Sequence, residues 1–221
     1  SQNQKEVKPI VEFFESLGIK TYLTSFRNAA FLKLFSNAYR YAEFTLVNEF
    51  FNIAEKNNID FKEIIELAKI DYPRLMNMPF YGFVGGPCLI KDTKTFIDQY
   101  SNETSVLASL QESNNEFMHL IIKKCMNSFT DRNVIQLGMT FKPNSDDLRS
   151  SLAYKLYKLL ENEGFIIYPV DLNLKPEDVD FKLFNYEEVI DKTDNILITT
   201  NHKFINKLDL SNKKVITVGY K

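Results

Sequence analysis

The chain has 221 residues, of which 44% are hydrophobic and 25% are charged. This composition is typical of a globular protein and excludes an intrinsically disordered chain. With 27 basic and 29 acidic side chains the formal net charge is -2, so the overall charge does not favour binding to nucleic acid or to an anionic membrane. An anionic ligand would therefore need a local group of cations.

The chain contains two cysteines, Cys88 and Cys125, which lie in different sequence contexts. We interpret them as unpaired thiols of a reducing compartment. No apolar run reaches the length that spans a bilayer, and the first residues lack the pattern of a signal peptide. These features predict a cytoplasmic protein.

The first zone of the chain has the pattern of a single αβ unit. A short helix is followed by Gly18 and by a predicted strand at residues 20–23. One helix and one strand cannot bury their apolar faces against each other alone. We therefore interpret residues 1–26 as the remnant of a domain whose front part is missing.

Residues 27–129 are predicted to form a helical central domain. Apolar residues recur at helical spacing through residues 28–57, over an arc so wide that this helix needs partners on more than one side. The same arc predicts a homodimer through this helix, because large exposed apolar patches usually mark interfaces. Further helices are predicted at residues 61–70, with Asp60 as its N-cap, and at residues 91–101 and 105–129.

From residue 130 onwards strands and helices alternate. Short apolar strands are predicted at residues 133–138, 165–170, 195–200 and 214–218, with helices at residues 151–163 and 186–192. Such alternation predicts a parallel sheet of Rossmann type over residues 130–221. The predicted fold class is therefore α/β, a helical domain followed by a Rossmann-like domain. Ligands of such sheets bind at the carboxyl ends of strands, which points to the loop 138–150.

A reactive thiol is predicted within residues 85–92, whose sequence is Gly-Gly-Pro-Cys-Leu-Ile-Lys-Asp. The ammonium group of Lys91 favours the thiolate of Cys88, and the two glycines let a substrate approach the backbone closely. Asp92 could activate a water molecule. The alternative is that Cys88 is a small buried hydrophobic residue, as most free cysteines are.

The loop 138–150 holds Phe141, Lys142 and Arg149. An aromatic ring with two cations suits the base and the phosphates of a nucleotide. The alternative is that both cations are solvated surface charges.

Residues 28–218 resemble the central and C-terminal domains of the NAD-dependent UDP-glucose/GDP-mannose dehydrogenase family, and three motifs carry this resemblance. Residues 33–40, Lys-Leu-Phe-Ser-Asn-Ala-Tyr-Arg, are similar to the family's pattern in its central helix. Residues 85–92 are similar to its Gly-Gly-x-Cys-x-x-Lys-Asp loop. Residues 138–151 are similar to its Phe-Lys-x-x-x-x-Asp-x-Arg-x-Ser loop.

The resemblance implies oxidation of the C6 alcohol of a nucleotide sugar to a carboxylate, with NAD as the oxidant and a thioester on the cysteine. It implies that Cys88 is the nucleophile and that Asp92 positions or activates the hydrolytic water. Lys33 and Asn37 would stabilise the developing oxyanion, and their spacing of four residues places them on one helix face. The alternatives are a surface lysine and a polar interruption of a buried face.

The resemblance also implies substrate contacts. UDP-sugars are the expected substrate class, and Lys91 and Arg149 are expected to contact NAD as well. No metal, nucleic acid or membrane is expected as a partner. The expected substrate-binding residues are Arg74, Tyr81, Gly82, Phe83, Gly85, Lys91, Phe141, Lys142 and Arg149.

Two departures from the family's pattern affect these expectations. The chain has no Gly-x-Gly-x-x-Gly motif after an N-terminal strand, so NAD would be bound mainly by a domain that this chain lacks. The last strand ends in Thr-Val-Gly-Tyr at residues 217–220 where the family has Asp-Gly-Arg, which removes an expected cation. We therefore expect a fragment of a nucleotide-sugar dehydrogenase that is inactive alone. The alternative is a non-catalytic protein that binds nucleotide sugars or acts as a dimer scaffold.

Overall fold

A computed structural model describes residues 4–219 of the chain. The outer ends of the first and last predicted domains, residues 1–3 and 220–221, lie outside the described residues. The helices are α1 (Gln4–Ser16), α2 (Phe26–Lys56), α3 (Phe61–Ala68), α4 (Pro87–Gln99), α5 (Ser105–Ser128), α6 (Leu152–Asn162) and α7 (Tyr186–Val189). The strands are β1 (Asn133–Leu137), β2 (Ile166–Val170), β3 (Asn195–Ile198) and β4 (Lys214–Thr217). The predicted α/β class, a helical part followed by a Rossmann-like parallel sheet, is confirmed.

The predicted strand at residues 20–23 is wrong. Residues 19–25 have no regular secondary structure, and no other described residue pairs with them as a strand. A strand forms only where neighbouring backbone groups satisfy its N–H and C=O groups. Ile10 and Phe13 on the preceding helix α1, and Leu17 directly after it, are exposed.

Helix α2 is the central element of the helical half. It begins after Ser25, whose side chain accepts a hydrogen bond from the backbone N–H of Asn28 and so caps the helix. One side of α2 packs against α4 and α5 and buries Tyr41 and Phe51. The other side leaves large apolar side chains exposed, namely Phe31, Phe35, Leu46, Phe50 and Ile53. No described helix is long and apolar enough to cross a membrane.

Helix α4 begins at Pro87, four residues before the predicted start of the helix at residue 91. Proline suits the first position of a helix because its missing N–H would have no partner there. Gly86 precedes it as the N-cap, with a positive φ of 97° that favours glycine. Cys88 therefore lies in the first turn of a helix and not in a loop.

The four strands are parallel and lie in the order β2-β1-β3-β4. The chain passes from β1 to β2 on one side and returns as β3 on the other side of β1. The winding direction thus reverses between β1 and β3, and a crevice forms at the carboxyl ends of strands at such a switch point. The loop after β1, residues 138–151, and the loop after β3, residues 199–202, border this crevice.

The helical half and the sheet share one apolar core. A single cluster of buried side chains runs from α2 through α5 and α6 into the sheet, and it includes Phe51, Phe117, Cys125, Leu156 and Leu197. Cys125 is fully buried within it. The two halves of the chain are therefore packed against each other as one body.

Two glycines with the same backbone angle allow a test of how tightly the crevice is built. Gly138 has a φ of 83°, and a Cβ built on it would lie 2.2 Å from the carbonyl oxygen of Thr200. Gly164 has a φ of 82°, and a Cβ built on it would have no neighbouring atom within 4 Å. We expect Gly164→Ala to lower the free energy of unfolding by about 1 kcal/mol, which is the cost of the left-handed backbone. We expect Gly138→Ala to cost about 3 kcal/mol because the carbonyl must also move. Urea denaturation measures both, and equal costs would contradict the close packing.

Candidate active site

A cleft of about 130 Å³ lies at the switch point of the sheet. Phe83 and Gly85 line it from the helical half, while Phe141, Thr199 and Thr200 line it from the sheet. The cleft therefore lies where the two halves meet, as expected for the loop after β1.

The loop after β1 sits directly on the start of helix α4. The backbone N–H of Gly86 donates a hydrogen bond to the carbonyl oxygen of Ser150 at 3.2 Å. The ring of Phe141 covers Gly86 so closely that a Cβ there would lie 2.8 Å from it, and a Cβ on Gly85 would lie 3.0 Å from Leu152. The glycine pair is thus required for contact between the two halves, in addition to any contact with a substrate.

The segment 81–83 is clamped between α2 and the end of the sheet. The buried side chain of Asn48 accepts a hydrogen bond from the N–H of Gly82 at 2.8 Å and donates one to its carbonyl at 2.7 Å. On the other side a Cβ on Gly82 would lie 3.2 Å from the Cα of Gly219. Both backbone groups of Gly82 are therefore already engaged.

The rings of Tyr81 and Phe83 contact the core. Tyr81 stacks on Phe51 with ring centroids 4.1 Å apart, and Phe83 meets the edge of Phe117 at 6.2 Å. Phe83 also borders the cleft. Of the two aromatic residues in this segment, Phe83 thus lines the cleft and Tyr81 does not.

Three of the four predicted catalytic residues are joined by hydrogen bonds. Lys33 and Asn37 lie one turn apart on α2, and both donate from their side chains to the same carboxylate oxygen of Asp92 on α4. Asp92 is 4% exposed, whereas the side chain of Lys33 is largely exposed. The face shared by Lys33 and Asn37 thus points at the helix that carries Cys88.

Asp92 is held in its ionised form. Burial alone would raise its pKa, but the hydrogen bonds from Lys33 and Asn37 and the charges of Lys33 and Lys91 outweigh burial and leave the pKa below the ordinary value. A carboxylate with a lowered pKa is a weak base. Asp92 can accept a hydrogen bond from a water molecule more readily than it can take the proton.

Cys88 is exposed and is the second residue of α4. It lies four residues before Asp92, so both side chains project from the same face of the helix. The N–H groups of the first turn have no partner within the helix and point towards this end, where they can donate hydrogen bonds to a negatively charged group. Lys91 is exposed on the next turn. The alternative that Cys88 is a buried hydrophobic residue is therefore wrong.

Arg149 forms an ion pair within its own loop. Its guanidinium donates to the carboxylate of Asp147 through Nη2 at 2.7 Å and Nε at 3.0 Å, which lowers the pKa of Asp147 to about 2. The hydrogen bond and charge of Asp147 raise the pKa of Arg149, and the charge of Cys88 raises it further. Arg149 and the thiol thus lie within electrostatic reach of each other. The Nζ of Lys142 lies 5.3 Å from the ring centroid of Phe141.

Arg74 is exposed in the turn 71–77 and has no hydrogen-bond or ion-pair partner among residues 4–219. No hydrogen bond or ion pair links it to the other candidate residues within the described part of one chain. Within that part there is also no group of three His, Cys, Asp or Glu residues that could hold a metal ion.

Sequence reasoning missed a buried polar pair behind the cleft. His202 follows β3 and Asp171 follows β2, and their side chains lie 3.1 Å apart with neither exposed. Asp171 lies directly after β2 and His202 lies four residues after the end of β3. These positions were the available signal, because the carboxyl ends of parallel strands meet at one edge. The distance of 31 positions between them hides the contact in the sequence.

Several curated proteins are similar to this chain. UDP-N-acetyl-D-mannosamine dehydrogenase of Methanocaldococcus jannaschii is 31% identical over 95% of this chain and 50% of that protein. UDP-glucose 6-dehydrogenase of Bacillus subtilis is 25% identical over 95% of this chain and 50% of that protein. GDP-mannose 6-dehydrogenase of Pseudomonas aeruginosa is 30% identical over 66% of this chain and 35% of that protein. The chain thus spans about half the length of the first two relatives.

Solved structures share the fold. A UDP-glucose dehydrogenase from Pyrobaculum islandicum superposes with a TM-score of 0.84 at 21% identity, over 99% of this chain and 54% of that chain. The UDP-N-acetyl-mannosamine dehydrogenase of Staphylococcus aureus superposes with a TM-score of 0.79 at 23% identity, over 98% of this chain and 52% of that chain. At these identities the likeness establishes the fold.

Two family models match the chain in consecutive parts. Residues 27–116 match the central domain of the UDP-glucose/GDP-mannose dehydrogenase family, and residues 135–218 match the UDP binding domain of the same family. Together the two matches cover most of the described residues, in the order of the helical half and the sheet. The chain therefore belongs to the UDP-glucose/GDP-mannose dehydrogenase family.

Proposed function

We propose that this chain is the substrate-binding and covalent-catalysis part of an NAD-dependent dehydrogenase that oxidises the C6 alcohol of a UDP-sugar to a carboxylate. One observation carries the proposal: Lys33 and Asn37 converge on Asp92 beside an exposed Cys88 at a helix N-terminus. A protein that only bound nucleotide sugars or held a dimer together would not need this group. A thiol, two oxyanion donors and a carboxylate are the parts that oxidation through a thioester requires.

Cys88 captures the aldehyde stage of the substrate. Its thiolate attacks C6, a C–S bond forms, and the aldehyde oxygen becomes an oxyanion. The ammonium group of Lys33 and the amide of Asn37 are the donors available to that oxyanion. Loss of a hydride from C6 leaves a thioester, and attack by water breaks the C–S bond to release the acid and the thiolate.

Asp92 orients Lys33, Asn37 and the hydrolytic water during these reaction steps. Because its lowered pKa makes it a weak base, it fixes the ammonium of Lys33 and the amide of Asn37 and holds the hydrolytic water by accepting a hydrogen bond. Proton removal from the water then falls to another group or to solvent.

The cleft between β1 and β3 is the proposed site of the nucleotide. Phe141 supplies an aromatic face and Lys142 a cation beside it, while Gly85 lines the side nearest Cys88. The match of residues 135–218 to a UDP binding domain supports a uridine nucleotide there. We propose that Tyr81 and Gly82 act by fixing the neighbouring backbone, and that Arg74 contacts substrate from a second copy of the chain.

The residues present fit a contact with NAD at the edge of the site. Lys91 is exposed on α4, and the guanidinium of Arg149 is held by Asp147 within electrostatic reach of Cys88. Two cations of this kind suit a pyrophosphate. When bound, NAD would accept one hydride from C6 in each of the two oxidations, alcohol to aldehyde and thiohemiacetal to thioester, so that two NAD are used per turnover. We propose this activity for the whole protein, to which this chain would contribute the thiol of Cys88.

The two thiols should react differently. Cys88 is exposed at a helix N-terminus near Arg149, while burial raises the pKa of Cys125 to about 12. We expect iodoacetamide at pH 7 to label Cys88 in the folded chain and Cys125 only in urea, as peptide mapping would measure. Arg149→Gln should slow the labelling of Cys88 severalfold, and Arg132→Gln, which lies before β1 at the opposite end of the sheet, should not. Preferential labelling of Cys125 would defeat the assignment.

The chain should bind UDP weakly, because a cleft that stays open leaves part of the ligand solvated. We expect Lys142→Ala to weaken binding about tenfold, through loss of a charge-assisted contact to phosphate. Lys155→Ala, an exposed lysine on α6, is the matched control and should bind like the wild type. Calorimetric titration with UDP, UDP-glucose and NAD measures this. Absence of UDP binding, or NAD binding tighter than UDP binding, would contradict the proposed site.

We further propose that the chain forms a homodimer through the exposed apolar face of α2. Phe50 is 51% exposed on that face, and contiguous exposed apolar residues mark interfaces. Light scattering at micromolar concentration should give the mass of two chains, and Phe50→Glu should give the mass of one. Leu172→Glu, 63% exposed after β2, should leave the dimer intact. A wild-type mass of one chain would count decisively against the interface.

A further inference from the structure

A fully buried imidazole joins the three loops that follow β1, β2 and β3. The ring of His202 is 0% exposed and stacks near Phe204, with ring centroids 5.7 Å apart. Space filling alone would not require a histidine here. Both ring nitrogens, however, have polar partners, and all of these partners lie in the loops after β1 and β2.

The partners of His202 divide by ring nitrogen. Nδ1 lies 3.0 Å from the backbone nitrogen of Asn144 and 2.6 Å from the side-chain nitrogen of Asn173. Nε2 lies 3.1 Å from a carboxylate oxygen of Asp171 and 3.1 Å from the hydroxyl oxygen of Thr140. The ring thus bridges the loop after β1 to the loop after β2.

These partners determine the tautomer. A backbone N–H can only donate, so Nδ1 must accept from Asn144 and carries no proton. Nε2 faces a carboxylate that can only accept, so it carries the proton and donates to Asp171. The hydroxyl of Thr140 donates to the carbonyl of Lys142 at 3.0 Å, which leaves its oxygen free to accept from Nε2 as well. A second proton on Nδ1 would face the N–H of Asn144.

The two contacted residues of the first loop lie on either side of the proposed nucleotide contacts. Thr140 precedes Phe141, and Asn144 follows Lys142 by two positions. Asn144 has a positive φ of 55° and its side chain accepts from the N–H of Lys203 at 3.1 Å. Asparagine tolerates this left-handed conformation better than most residues other than glycine, and the hydrogen bonds to Lys203 and His202 hold it here. The turn 140–144 is therefore fixed at both ends by the imidazole.

We infer that His202, as a neutral imidazole protonated on Nε2, is a positioning residue that fixes the turn 140–144 and so holds Phe141 and Lys142 where they bind the nucleotide. The part that concerns the nucleotide rests on the proposed function. The part that concerns the turn rests on the contacts of His202 alone. Asp171 completes the arrangement, since it also accepts from the backbone N–H of Met139 at 2.7 Å, at the start of the same loop.

Two substitutions separate the roles of the ring nitrogens. In His202→Asn the amide oxygen can take the place of Nδ1 and still accept from Asn144, while the donor to Asp171 is lost. In His202→Gln the amide nitrogen can take the place of Nε2 and still donate to Asp171, while the acceptor for Asn144 is lost. The other histidine of the sequence, His119, is exposed, and His119→Asn is the matched control.

Nuclear magnetic resonance of the ligand-free chain tests the contacts. With two histidines in the sequence, His119→Asn leaves one imidazole signal, which we expect to show a proton on Nε2 at pH 7. The backbone amide of Asn144 should be protected from hydrogen exchange in the wild type and in His202→Asn, and at least tenfold less protected in His202→Gln. A proton on Nδ1, or equal protection in the two variants, would overturn the inference.

Calorimetric titration with UDP tests the consequence for binding. We expect His202→Gln to weaken UDP binding about tenfold, His202→Asn to weaken it less, and His119→Asn to leave it unchanged. If a His202 variant does not fold, Thr140→Val removes the hydroxyl contact at nearly constant shape and should weaken binding about threefold. If all of these variants bound UDP as tightly as the wild type, His202 would not be a positioning residue, and the proposed function would be unaffected. If the wild type did not bind UDP but His202 had the expected tautomer, the proposed function would be wrong. The inference that His202 fixes the turn 140–144 would remain valid.

Discussion

The contact between the glycine pair 85–86 and the loop after β1 determines most of the site. Phe141 lies so close to Gly86 that a Cβ there would be 2.8 Å from its ring, and Ser150 accepts a hydrogen bond from the same residue. Helix α4 starts immediately afterwards at Pro87, so this one approach sets where Cys88 lies relative to the sheet. The thiol belongs to the helical half, whereas Phe141 and Lys142 belong to the sheet half, and the two halves meet here.

The buried carboxylate of Asp92 imposes a second constraint. An ionised side chain that is nearly inaccessible to water needs hydrogen bonds and an opposite charge, and Asn37 and Lys33 supply them. Because both donors lie on α2, the ion pair also ties α2 to α4 next to the thiol. The same interaction that keeps Asp92 charged therefore keeps the donors of the candidate oxyanion site in place.

Sequence reasoning succeeded where a pattern is local. The 3.6-residue period predicted α2 within two residues of its observed start, and the change of period predicted the parallel sheet. The spacing of Lys33 and Asn37 placed them on one face because a helix repeats every turn. The start of α4 was set too late because the glycine and proline were interpreted as loop residues, although proline is common at the first helical position. The prediction of a strand at residues 20–23 was wrong because the described structure offers this segment no neighbouring strand with which to pair.

Contacts that depend on the tertiary structure could not be found in the sequence. His202 meets Asn144 across 58 positions and Asp171 across 31, and only the order of the strands brings them to one edge. Arg149 is similar, since its motif predicted a cation near the nucleotide but not its electrostatic link to Cys88. A single sequence indicates which residues bear chemistry, and the topology decides which of them meet.

The continuous apolar core has a consequence for how the chain loses its structure. Because one cluster of side chains extends from Phe51 in α2 to Ile216 in β4, neither half retains a complete core when the other opens. The two halves should therefore melt in a single cooperative transition, despite matching two separate family domains. Since the cleft lies between the two halves, a ligand bound in it would raise the thermal stability of the whole chain.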